Sequence, residues 1–322
     1  RDAGLAITSG IQNTLIGSNT GAALTDADFN TAVGQQALLT DTKGNKTTAI
    51  GHGALGTQNF TSSTNTHNTA VGYASGAALT TGTNCTFIGF NAGVANVAAG
   101  NNTAIGSRAL TTNTESHNNV AVGDQALQVL NHTSNTNGAC VAVGYEALDE
   151  LTTGHSCIGI GQNANASAAD GTDQIIMGKD VNGAGNQHFT FGDGGTDSAI
   201  QFGATSISAP SDERLKEDIK DETIGLAFIN ELRPVTFQWK KEKDVPNTMN
   251  AYVADSDKRV MNGKYNHGFI AQEVKTLIDK YSLKDGQKLW MEAGSDDRQR
   301  LAEGELVPFL VKAIQELSAE VK

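Results

Sequence analysis

Two consecutive units, Asn102-Thr103-Ala104-Ile105-Gly106 and Asn119-Val120-Ala121-Val122-Gly123, decide the fold of this chain. They lie 17 residues apart. The same frame recurs with its glycine at Gly17, Gly34, Gly51, Gly72, Gly89, Gly106, Gly123, Gly144, Gly161 and Gly178. Every interval is 17 residues except Gly51 to Gly72 and Gly123 to Gly144, which are 21. A unit with one short strand and a glycine corner cannot bury an apolar face alone, whereas stacked units share a continuous core. The expected fold is therefore mainly β: a parallel β-solenoid or β-roll, roughly 45–50 Å long at about 4.8 Å per coil. The two longer units read as the same coil carrying a loop.

Aligning on the glycine exposes columns. One residue before it stand Ile16, Val33, Ile50, Val71, Ile88, Ile105, Val122, Val143, Ile160 and Met177; three before it stand Thr or Val/Ile. These residues share one face of a strand and are almost all β-branched, which suits a packed strand interior. The other face carries alanines two before the glycine (Ala32, Ala49, Ala70, Ala104, Ala121, Ala142) and an Asn-rich column four before it. A second alanine column follows three after it, from Ala37 to Ala164. The expectation is that the β-branched columns form the core. The two small-residue columns would then let subunits approach closely around a three-fold axis.

Little in the rod suggests chemistry. His52, His67, His117, His132 and His155 fall in expected turns, with no metal-ligand spacing among them. Neither a metal nor a cofactor is called for. Cys85, Cys140 and Cys157 all occupy the Asn column. Cys140 and Cys157 belong to adjacent coils, so they are either reduced column fillers or close enough for a disulfide. The acidic residues, Asp26, Asp28, Asp149, Glu150 and Asp170 among them, do not recur in register. Nothing therefore singles out the carboxylate pair that a glycosidase needs.

Charge excludes some partners. Of 322 residues, the part before Ser211 holds five Lys and Arg against 14 Asp and Glu; the part after it holds 18 against 21. A uniformly acidic rod does not bind a phosphate backbone. No apolar run approaches the roughly 20 residues that cross a bilayer, and Arg1-Asp2-Ala3-Gly4 opens no signal-peptide core. Residues 1–182 are read as the rod. Residues 183–210, with Gly-rich turns between His188-Phe189-Thr190-Phe191 and Ala199-Ile200-Gln201-Phe202, are read as its capping exit.

At Ala209-Pro210-Ser211-Asp212-Glu213-Arg214-Leu215-Lys216 the composition changes to charged and helix-forming. Taken locally, this is a helix start, with Ser211 or Asp212 as cap. Further on, Gly268-Phe269-Ile270-Ala271-Gln272-Glu273-Val274 opens an amphipathic helix. Val307, Leu310, Ile314, Leu317 and Val321 lay out the seam of a short coiled coil. Residues 211–322 thus form an expected α+β domain ending in that helix.

The rod pattern resembles the heads of trimeric autotransporter adhesins, whose repeats read Ser-Val-Ala-Ile-Gly, and repeats of bacteriophage tail fibres. Its period of 17 is longer than the adhesin one. The second part resembles the S74-type intramolecular chaperone at the C-termini of phage tailspikes, endosialidases and tail fibres. Four motifs in order carry that likeness: Ser-Asp-x-Arg-x-Lys from Ser211, Leu-Arg-Pro-Val-x-Phe from Leu232, the Gly268–Val274 stretch, and Leu306 to Leu317. The resemblance implies a homotrimer that aligns three chains, templates the β-rod and then cuts itself off. It implies Ser211 as nucleophile, Lys216 as base and Pro210–Ser211 as the scissile bond.

A lysine serves as base only when desolvation or nearby positive charge lowers its pKa from about 10.4. Arg214 is placed to add such charge. Asp212 or His267 are candidates to orient the lysine or polarise the carbonyl, the plainer readings being a helix cap and a surface residue. The expected whole is the distal part of a phage tail fibre or tailspike, assembled in the host cytoplasm and carried on the virion tail. It would work with other tail proteins and a bacterial surface receptor, a glycan or outer-membrane component. Receptor contact is expected in the loops near Thr57–His67 and Asn131–Gly138 or at Tyr73, Phe90 and Tyr145. Two rivals stand beside it: a passive spacer with a permanent trimerisation cap, and a bacterial trimeric adhesin head.

Overall fold

The computed structural model describes residues 2–132, 134, 136–283, 287–292 and 298–321. Thr133 and Asn135, part of the second expected receptor loop, lie outside the described residues. The chain divides into two compact units, Arg1–Asp212 and Glu213–Lys322.

The first unit is a parallel β-solenoid. Its short strands run from Thr14–Ile16 to Ile175–Lys179, each hydrogen-bonded to the next. Thr103, Ala104 and Ile105 pair with Val120, Ala121 and Val122, and the frame holds without slip along the rod. Gly106 has φ +139°, and a Cβ there would lie 2.2 Å from the carbonyl oxygen of Gly123. Both the left-handed backbone and the stacking distance therefore demand glycine. The exit segment adds His188–Asp193 in parallel and then Ser198–Gln201 antiparallel to it.

The structure reverses the expected faces. Ala32, Ala49, Ala70, Ala104, Ala121 and Ala142 are wholly buried, as are the alanines three after each glycine. The Ile/Val column instead points outward: Ile16 is 59% exposed, Ile105 36% and Met177 44%. The reason is the narrow cross-section of a 17-residue coil. Leu38, Leu55, Leu110, Leu127 and Leu148, four after their glycines, fill the interior together with Leu24, Leu79, Leu130 and Leu151. Each fully buried leucine contributes about 1.5–3 kcal/mol, and beside it the strand has room only for alanine. The alanine columns are thus core, not an interface.

One coil confirms this by exchange. Phe87 replaces the strand alanine and is fully buried, while Gly76 and Gly93 occupy the neighbouring leucine positions. A Cβ on Gly93 would meet the Phe87 ring at 2.5 Å, and one on Gly76 at 2.7 Å. Large and small trade places at nearly constant volume.

The Asn column faces inward as well, and it links coils. Asn30, Asn68, Asn102 and Asn119 are buried. Each Asn side-chain oxygen accepts the backbone N–H of the next residue in the column, as Asn13 does from Asn30 and Asn68 from Cys85, both at 2.9 Å. The Nδ2 of Asn13, Asn30, Asn68 and Asn102 donates to the carbonyl 14 residues on, at 2.7–2.9 Å. In the same positions the thiols of Cys85, Cys140 and Cys157 donate to Ala99, Gly154 and Gly171 carbonyls at 3.4, 3.9 and 3.3 Å. A thiol keeps the amide's donor role and gives up its acceptor role.

The two longer coils are tied down rather than bulging freely. Gly44–Asn45 pairs in parallel with Thr64–Asn65, and Ser116–His117 with Thr136–Asn137. Buried Asp41 accepts the N–H groups of Gly44 and Phe60 and the Gln58 side chain, at 2.7–3.1 Å. His132, expected in a turn, is not solvated there: it is 7% exposed and its Nε2 lies 2.9 Å from the Thr153 carbonyl.

The second unit contains α1 (Leu226–Glu231), a hairpin of Val235–Phe237 with Asn266–Gly268, α2 (Ala271–Lys280), a hairpin of Trp290–Glu292 with Gln299–Leu301, and α3 (Val307–Glu320). Its core is Phe228, Val274, Ile278, Leu289 and Leu306. Phe228 meets Phe309 at a ring separation of 5.3 Å, and Glu316 accepts the Leu226 N–H at 2.8 Å, which sets α1 against α3. The opposite face of α3 carries the seam expected from sequence, with Val307, Leu310, Ile314, Leu317 and Val321 all exposed.

Candidate self-cleavage site

The approach to the expected cleavage site, Pro210–Ser211, is anchored on one side. Ala199 and Ser208 exchange backbone hydrogen bonds of 2.8 and 2.7 Å. Beyond Ser208 the chain leaves regular structure through Ala209, Pro210, Ser211 and Asp212. A single 3₁₀ turn follows, Glu213–Leu215, with the Lys216 N–H donating to the Glu213 carbonyl at 3.0 Å. The short turn replaces the expected helix start. Charged side chains with no apolar periodicity give it no face to bury.

Every residue from Gln201 to Thr223 is exposed, so Ser211, Asp212, Arg214 and Lys216 all face water. They are close in sequence and accessible, and burial within one chain does not desolvate the lysine. His267 sits elsewhere, in the Asn266–Gly268 strand opposite Thr236, whose Oγ1 is 3.4 Å from its Nδ1. It lines an open hollow of about 360 Å³ with Phe237, Trp239, Arg300 and Glu303. None of the other four site residues is among the described walls of that hollow.

The second unit carries surface ion pairs of its own. Arg233 binds Glu273 through two nitrogens, and Lys280 and the Tyr281 hydroxyl both reach Glu231. Lys241 and Lys243 each approach Asp257 at 2.7 Å, and their hydrogen bonds hold its carboxyl down at about 2. Being exposed, such pairs contribute little individually. They join α1 and Arg233 just after it to α2, and Lys241 and Lys243 to Asp257.

The fold and this segment define a class: a β-solenoid followed by an α+β unit. Comparison with known families agrees. Residues 211–283 match the family described as chaperone of endosialidase, Peptidase S74, and the match begins at Ser211 itself. The Leu306–Leu317 motif lies beyond the matched residues. No curated protein and no solved structure matches the chain. Among the described residues no helix is long and apolar enough to cross a membrane.

Proposed function

We propose that this chain is the distal part of a phage tail fibre or tailspike, in which three copies form a rod that attaches to a bacterial surface. The C-terminal unit trimerises, aligns the three chains, templates the rod and then removes itself at Pro210–Ser211. One observation carries the reading: a match to the endosialidase chaperone family starts at Ser211, after a ten-coil parallel solenoid and its short exit segment.

The solenoid explains why a helper is useful. Its contacts are non-local, and a chain slipped by one unit presents nearly the same columns. A C-terminal trimer removes that degeneracy. Two exposed apolar stripes support the trimer. One is the Ile/Val column, exposed at Ile16, Ile50, Ile88, Ile105, Val143, Ile160 and Met177 and half-buried at Val33, Val71 and Val122; the other is the α3 seam from Val307 to Val321. Stripes of this length on a soluble protein mark contact surfaces, and only copies of the same chain match the coil spacing along the whole rod.

The cleavage follows from ordinary serine chemistry. Ser211 Oγ adds to the Pro210 carbonyl carbon while Lys216 takes its proton. The bond from that carbon to the Ser211 nitrogen breaks, and the nitrogen leaves with the proton. This gives an ester between Pro210 and Ser211 Oγ, which water hydrolyses to a Pro210 carboxylate and free serine. Lys216 is exposed in the single chain, so the water-stripped setting this step needs belongs to the assembled trimer. Cutting is thereby tied to correct folding. After the helper leaves, the rod's durability is kinetic.

The test is to express residues 1–210 alone beside the full chain. The reading expects soluble trimeric rod only from the full chain. Equal yields of trimer from both would remove the chaperone role.

A further inference from the structure

On the rod strands from Thr31 to Met177, the residues three before and one before the glycine face outward together, because the residue between them is buried. This outward face is not uniform. In the first six coils the earlier position is threonine, from Thr14 to Thr103; in the last four it is Val120, Val141, Ile158 and Ile175. The later position is Ile, Val or Met throughout. Valine and threonine differ by a methyl in place of a hydroxyl. The coil therefore accepts either, while the surface it shows to a neighbour changes from mixed to wholly apolar.

The apolar part continues past the last coil. His188–Asp193 pairs Phe189 with Ile175 and Phe191 with Met177, and buried Thr190 leaves both rings on the outward side. The rings lie 4.9 Å apart. Ile200, on the antiparallel strand, stands opposite Phe189, and Ser198 opposite Phe191 forms the polar margin. No residue of either column is charged in any coil.

An apolar surface of this extent marks a contact, and two observations point to its occupant. Before Ser211 the chain holds five Lys and Arg against 14 Asp and Glu. Copies brought together elsewhere would meet like charge, whereas this face carries none. Its rows also repeat once per coil, at about 4.8 Å, and a second copy of the chain repeats at the same spacing. We propose that the outward face from Val120 to Ile200 is the clamp that holds the released rods together, each copy's face covered by those of the other two. The inference rests on the trimeric reading above and adds where the trimer is held. The coils nearest the cut keep the rods together when the C-terminal unit leaves, and the threonine coils make the weaker contact.

The experiment follows trimer dissociation of the full chain by light scattering in moderate guanidinium. Every variant keeps the same C-terminal unit, so the comparison holds whether or not the chain cuts itself. Val120→Thr, Val141→Thr, Ile158→Thr and Ile175→Thr together give the last coils the pattern native to the first six, so circular dichroism should stay that of wild type. The expected result is dissociation at least about tenfold faster than wild type. Adding Thr31→Val, Thr48→Val, Thr69→Val and Thr86→Val should restore most of the lifetime. Ile11→Thr with Val97→Thr, at exposed positions outside the two columns, should leave it within about twofold. A four-threonine trimer as long-lived as wild type overturns the clamp, and so does an equal loss from Ile11→Thr with Val97→Thr. A wild type that is monomeric at every concentration overturns the trimeric reading itself, and the clamp with it.

Discussion

The side-chain oxygen of Asn102 accepts the backbone N–H of Asn119, one coil further on, at 2.9 Å, while its Nδ2 donates to the Ser116 carbonyl at 2.8 Å. One buried amide thus serves two backbone groups of the turns, the Ser116 carbonyl also accepting from Asn113 Nδ2 at 2.9 Å. Asn102→Ala should orphan the Asn119 N–H, at a cost of about 1–3 kcal/mol. Asn102→Cys should recover part of the loss, because the native thiols in this column keep the donor bond. Unfolding rates in denaturant check this ranking, wild type slowest and alanine fastest. Indistinguishable rates for the alanine variant would contradict it.

Phe87 and Gly93 make a size exchange that can be run backwards. Phe87→Ala should open a cavity costing about 3–5 kcal/mol. Gly93→Leu alone should also destabilise, since its side chain meets the Phe87 ring. Gly93 has φ +58°, close to the +53° of Leu110 at the equivalent position, so leucine is tolerated by the backbone there. The double variant should therefore be more stable than either single one. A strictly additive loss in thermal melts would show that the two sites do not share the core volume.

Burial pushes the Cys85 thiol from 9.0 up to about 11 and the Cys140 thiol up to about 12. These thiols stay protonated in the fold while an unfolded chain loses their protons near pH 9. Their contribution is complete below that pH and is lost as pH rises toward 11–12. The melting temperature should fall more steeply between pH 8 and 10.5 in wild type than in a Cys85→Ala, Cys140→Ala variant. A thiol reagent at pH 8 should label neither cysteine until denaturant is added.

The exposed Ile/Val column separates two readings of the rod surface. Ile88→Glu with Ile105→Glu should leave each coil intact but break the trimer, read as mass by light scattering. Ala104→Leu should instead damage the coil itself, because Ala104 is fully buried. A trimer unaffected by the paired glutamates would move the interface elsewhere.

The rod was legible because Gly17 to Gly178 cannot change without a clash, so the period survives in the sequence. Which face lies inward was not legible. Ile105 and Val122 have the residue type of a strand interior, but Leu110 and Leu127 from the following turn already occupy the space. His132 was misread because only the fold brings it to Thr153. The Ser211–Lys216 pair could be read from its motif, but the single chain leaves both exposed, and the proposed cut requires the assembled chains to desolvate the lysine.

The central claim, that folding switches on one cut at Pro210–Ser211, is tested most directly on freshly purified full chain. Wild type, Ser211→Ala and Lys216→Ala are compared by denaturing gel and intact mass. The account predicts that wild type splits into residues ending at Pro210 and residues beginning at Ser211, while both variants stay whole. A folded wild-type trimer that remains one uncut chain would contradict it, and the C-terminal unit would then be a permanent cap.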